Sequence, residues 1–166
     1  LPDQSKVILN SGSEITYKSR NWDQNRKLNL EGEAYFQVAK GKKFEVQTQL
    51  GTVTVLGTQF DVKARNNKFE VVCFEGKVRV QYQNIIKFIT KGQKISFENG
   101  NPIQTSHQAQ KPDWLQHLIA FDHDNLAKII KEIDLSVVTN DIKIKYTNYS
   151  LPAEKPLVRM LSGDSS

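Results

Sequence analysis

His117, Asp122, His123 and Asp124 form the one polar cluster in the sequence with the composition of a metal-ligand set, and they stand just before an apolar period that begins at Leu126. Asp and Asn at such a place have another use, because their side chains accept from the free N–H groups of a helix's first turn. The cluster therefore reads as capping, and no metal site is expected. Glu31 and Glu33 flank Gly32 on one strand face, but a glycosidase pair also needs a cleft and surroundings that drive the two pKa values apart. Ser106 and His107 are neighbours in a polar segment, and adjacency in sequence does not make a nucleophile and its base. No phosphate-cradling glycine loop, nucleophile elbow or Cys/His pair is present. The single cysteine, Cys73, excludes an internal disulfide and a cysteine-based zinc site; its apolar neighbours make it a small buried hydrophobe. Asn148, Tyr149 and Ser150 match a glycosylation sequon, a pattern short enough to arise by chance. The expectation is a protein that is not an enzyme, with no catalytic residue, cofactor or small-molecule substrate.

Charge points to no special partner either. Lys and Arg number 23 against 18 Asp and Glu, an excess of +5 read as a solvated mixed surface. Lys63, Arg65, Lys77 and Arg79 offer a basic stripe, but Asp61 and Glu70 alternate with them and outward aromatics are few, so no nucleic-acid partner is expected. No apolar run is long enough to span a membrane. The chain starts at Leu1 inside a patterned segment, which suggests a piece of a longer protein.

The elements that position these residues are organised around 57–82. Gln59 to Arg65 alternates polar and apolar, Asn66 and Asn67 tolerate positive φ, and Phe69 to Phe74 is a second strand, which predicts a hairpin. Glu75 and Gly76 suggest a second turn into Lys77–Tyr82. That register puts Phe60, Val62, Ala64, Phe69, Val71, Cys73, Val78, Val80 and Tyr82 on one face, with charges on the other. Val72 and Phe74 break the polar face, so the middle strand is expected to be covered on both sides. Short strands at regular spacing precede and follow, with Trp22 as a loop anchor and Gly32 as a bulge.

The expected fold class is mainly β: an all-β, sandwich-like domain over 1–98, a linker over 99–113 rich in Gly, Pro and polar residues, and a small β-α-β module over 114–166. In the module, Leu126, Ile129, Ile130 and Ile133 recur at helical spacing and Asp141 to Tyr146 alternates Ile with Lys. Leu157 and Leu161 hint at a short helix start near the end.

Taken in order, LPDQSKVILNSGSEITY at 1–17, LEGEAYFQV at 30–38, VLGTQFDVKA at 55–64, FEGKVRV at 74–80, KGQKI at 91–95 and FDHDNLAKII at 121–130 resemble the extracytoplasmic part of FecR-like anti-sigma regulators. One departure is Gln4, where the family usually has glycine after Leu-Pro-Asp. The resemblance implies a FecR-type β domain followed by a module similar to the N-terminal signalling domains of secretins and TonB-dependent transducers. It also implies the periplasmic part of a single-pass inner-membrane protein. Such a part takes a signal from the signalling domain of a TonB-dependent outer-membrane transducer and passes it, through a cytoplasmic segment absent from this sequence, to an extracytoplasmic-function sigma factor. Ile142, Lys143, Ile144, Lys145 and Tyr146 are the expected partner-binding residues, because a small module leaves a strand edge open for a partner strand. The alternative is a secreted glycan-binding β-sandwich, with Trp22, Tyr35 and Tyr82 as stacking residues.

Overall fold

The computed structural model describes residues 1–115, 141–147 and 157–162. Thirteen strands are present among the described residues: β1 (Lys6–Leu9), β2 (Ser13–Lys18), β3 (Arg26–Gln37), β4 (Phe44–Gln47), β5 (Thr52–Val55), β6 (Gln59–Arg65), β7 (Lys68–Glu75), β8 (Lys77–Tyr82), β9 (Ile85–Thr90), β10 (Gln93–Glu98), β11 (Asn101–Ser106), β12 (Asp141–Thr147) and β13 (Leu157–Ser162). The protein is mainly β, and its main path is one curled sheet in the order β11-β10-β7-β6-β3-β4-β5-β8-β9.

β3 makes the curl possible. Its N-terminal half pairs with β2 and β4, the latter in parallel, and its C-terminal half pairs with β1 and β6. The halves meet at Gly32, whose φ is 102° and where a side chain would collide with Ser13. Only glycine combines that backbone with that approach. Both halves send alternate residues inward, so Leu28, Leu30, Ala34 and Phe36 join Phe44, Val46, Val53, Phe60, Val62, Val71 and Val80 in one core. Phe36 stacks on Phe60 at 4.9 Å, and Tyr82 stacks on Phe97 at 4.4 Å.

The β6–β7 hairpin has the expected register, with Ala64 opposite Phe69, Val62 opposite Val71 and Phe60 opposite Cys73. Asn66 and Asn67 both take positive φ, 52° and 57°. The second expected hairpin does not form: β8 leaves β7 at Gly76 and pairs with β5 and β9, while β7 pairs with β6 and β10. A single residue separates the two strands, too few for a two-residue turn. Alternation still places Val78 and Val80 in the same core, because it fixes the face of a strand and not its neighbour. Val72 and Phe74 lie in a second buried cluster with Tyr35 and Leu115, flanked by Ile8 and Trp114, so β7 is indeed covered on both faces.

Residues 101–106, inside the expected linker, are the strand β11, paired with β10 from Glu98↔Asn101 to Gln93↔Ser106. An edge strand that is largely exposed needs no apolar alternation, which is why its composition resembles a linker. Residues 157–162 are likewise a strand, not a helix start. The expected helix at 126–133 and the capping cluster lie outside the described residues.

Candidate partner-binding strands and the polar junction beneath them

Ile142, Lys143, Ile144, Lys145 and Tyr146 all lie in β12, at the bounds expected of a strand. The open edge expected of this strand is absent. β2 pairs with β12 on one side, from Asp141↔Lys18 to Tyr146↔Ser13, and β13 pairs on the other, from Ile142↔Ser162 to Thr147↔Leu157. Two circumstances close the edge: β2 keeps one side unused by β3, and 157–162 is extended. Among the described residues the free edge of this ribbon is that of β13.

Ser13, the residue opposite Tyr146, belongs to a buried polar junction. Its Oγ accepts from the Glu33 backbone N–H at 2.8 Å and lies 3.2 Å from Arg65 Nη2. Arg65 also donates to the Ser11 carbonyl and pairs with Glu33 at 3.5 Å, while Asn10 Nδ2 donates to Glu33 Oε2 at 2.9 Å. Beside Glu33 on the outer face of β6 is Asp61, 6% exposed, whose Oδ1 accepts from the Trp114 indole N–H at 3.2 Å. Burial drives the Asp61 carboxyl well above its ordinary value and the nearby Glu33 charge adds to this, against the Trp114 hydrogen bond. The start of the C-terminal region and the first half of the chain are thereby tied at two places, Trp114 on Asp61 and β12 on β2.

By alternation alone Asp61 falls on the charged, outer face of β6. Val72, directly opposite it, carries the missed signal: an apolar residue on the polar face means a cover, and the cover extends over its cross-strand neighbour. Glu70 stands opposite Lys63 as expected, but its ion pair is with Lys94 at 2.9 Å. The basic stripe does not assemble, since Lys63 and Arg65 lie on β6 and Lys77 and Arg79 on β8, which are not neighbours. A second unforeseen tie joins Arg26, buried in the core wall, to Asp3 at 2.8 Å and to the carbonyls of Ala39 and Lys42. Burial acts to raise the Asp3 carboxyl, but Arg26 and Ser5 outweigh it and hold it below its ordinary value.

The candidate stacking aromatics are not available as a platform. Trp22 is 2% exposed and packs edge-on to Tyr17 and Phe44, Tyr35 is 1% exposed with its hydroxyl donating to Gln59, and Tyr82 is half-buried and stacks with Phe69 and Phe97. Burial pushes the Cys73 thiol up to about 11. The bend at Gly32 separates Glu31, which is exposed, from Glu33, which is buried. A cleft of about 720 Å³ beside β2 is lined by Lys18, Arg20, Asn21, Gln24, Lys27 and neighbours, without a carboxylate, thiol or imidazole. Among the described residues no group of His, Cys, Asp and Glu has metal-binding geometry, and no helix is long and apolar enough to cross a membrane.

Residues 1–79 match the family model described as FecR protein. That stretch is a FecR-family domain. The FecR match covers β1 to β7 and enters β8, so it includes Ser13, Glu33, Asp61 and Arg65 of the junction. The fold as a whole is shared with two crystal structures from Parabacteroides distasonis, each of a protein provisionally assigned as an anti-sigma factor. One is 24% identical with a TM-score of 0.65 and the other 21% with 0.63; each match covers 99% of this chain, and 92% and 93% of the other. No curated protein matches the chain.

Proposed function

We propose that this chain is the receiver part of an anti-sigma regulator, lying in the periplasm as part of a single-pass inner-membrane protein. It takes a signal from the signalling domain of a TonB-dependent outer-membrane transducer and relays it toward an extracytoplasmic-function sigma factor. The observation that carries this reading is the FecR-family domain at 1–79 whose strand β2 continues by main-chain pairing into β12 and β13. The fold shared with the Parabacteroides proteins supports it. In this reading the β domain, with β11 part of its sheet, is the receiver domain and 114–166 the signalling-type module.

The β12–β13 ribbon is the proposed contact, with Ile142, Lys143, Ile144, Lys145 and Tyr146 in its inner strand and a partner strand adding beyond β13. The sign of Lys143 and Lys145 favours an acidic partner surface. The cell-based test is a reporter driven by the cognate sigma factor: deleting the whole regulator should change its output, and an output independent of the regulator refutes the anti-sigma reading. The contact is tested by calorimetry against the transducer's signalling domain. Lys143→Glu with Lys145→Glu should weaken binding by about tenfold or more, with an unchanged circular dichroism spectrum; undiminished binding removes β12 from the interface.

A further inference from the structure

β9 ends the main sheet path, with β8 on one side and, among the described residues, no strand on the other. Its pairing with β8 is uninterrupted from Lys77↔Thr90 to Tyr82↔Ile85, and its sequence, IIKFIT, has no proline or glycine. β11, at the opposite end of the path, is protected in the usual way: Pro102 stands within it and its residues are mostly polar. β9 shows the reverse. Ile86 is 47% exposed and Phe88 52%, both on the outer face, opposite Gln81 and Arg79 of β8. Ile85 and Ile89 on the other face pack with the core.

The charge around this edge has one sign. Residues 77–97 contain Lys77, Arg79, Lys87, Lys91 and Lys94 and no Asp or Glu. Lys94 is neutralised by Glu70. Lys77 lies 4.8 Å over the Phe88 ring, and Lys77, Arg79, Lys87 and Lys91 make no ion pair among the described residues.

We propose that the free edge of β9 is a docking site for an extended acidic segment of a partner protein, which adds to the sheet as a further strand. Main-chain hydrogen bonds to Ile85–Ile89 supply the pairing, since the Thr90 N–H already donates to Gln93 Oε1 at 2.8 Å. The two faces of β9 specify the segment. Apolar residues of the partner lie along Ile86 and Phe88 on the outer face, and on the other face an Asp or Glu meets Lys87. The occupant therefore alternates apolar and acidic residues. A second copy of this chain is a poor occupant, because edge-to-edge pairing would bring Lys87 and Lys91 of both copies together. The proposal is independent of the anti-sigma reading and uses a surface away from β12.

The test is fluorescence anisotropy with a labelled decapeptide of alternating Val and Glu, against a Val/Lys peptide and an all-Glu peptide. Saturable binding of the Val/Glu peptide alone is expected, with slowed amide exchange across 85–89. Ile86→Ser with Phe88→Ser, and separately Lys87→Glu, should each weaken it by about tenfold or more. Both sets of positions are exposed, so the fold should persist, with thermal unfolding as the control. Equal binding of the all-Glu peptide, or affinity unchanged in both variants, overturns the proposal. A parent dimer that Ile86→Ser with Phe88→Ser converts to monomer overturns it too, since the edge would then belong to a second copy.

Discussion

Gln4 sits at φ 67°, in the left-handed region that disfavours a side chain, at the place where the family resemblance has glycine. Gln4→Gly should relieve this at the cost of some chain entropy, for a net gain of about 0.5–1 kcal/mol. In a domain of this size that is a rise of about 1–4 °C in Tm, measurable by calorimetry; a fall would show that the turn depends on the glutamine side chain. Asp61 makes the opposite kind of demand. Because its carboxyl titrates well above the unfolded value, its contribution to stability is full below about pH 4 and is lost as pH rises through the raised value. Asp61→Asn keeps an acceptor for Trp114 and removes the charge. The variant should match the parent near pH 4 and exceed its Tm near about pH 8. Parallel stability curves for the two proteins across that range would contradict the buried, uncharged-favouring site. Asp3 works with the reverse sign: held low by Arg26, it stabilises above about pH 4 and ceases to as acid protonates it.

Val71 is the test of β7 as an element, since it is fully buried between β6 and β10. Val71→Asp places a carboxylate where nothing pairs with it and should cost at least about 4 kcal/mol. A Tm within a degree or two of the parent would rule the packing out. β7 also shows how far alternation reaches. The faces of β6, β7 and β8 were readable from period alone, and the Asn66-Asn67 turn from residues that accept positive φ. The departure of β8 at Gly76 was not, because the same inward residues satisfy either neighbour. β11 is illegible in the sequence for a related reason: an edge strand exposed on both faces has no period to read.

At the scale of the molecule, the FecR motifs make the mainly β fold legible, while the polar junction is not, because it assembles from Asn10, Ser13, Glu33, Asp61, Arg65 and Trp114, residues far apart in sequence. Asp61 reads as a surface carboxylate until the cover of Trp114 is in place. The β2–β12 seam has a mechanical side as well. A pull along the strands loads every bond of the seam together, whereas a pull across them opens it one pair at a time. Peeling that enters at Tyr146 meets Ser13 first, and Ser13 is the residue on which Glu33 and Arg65 converge. The seam is thus stiff to tension along its length and yields to leverage at one end, where the first pair to open is also the one bound to the junction.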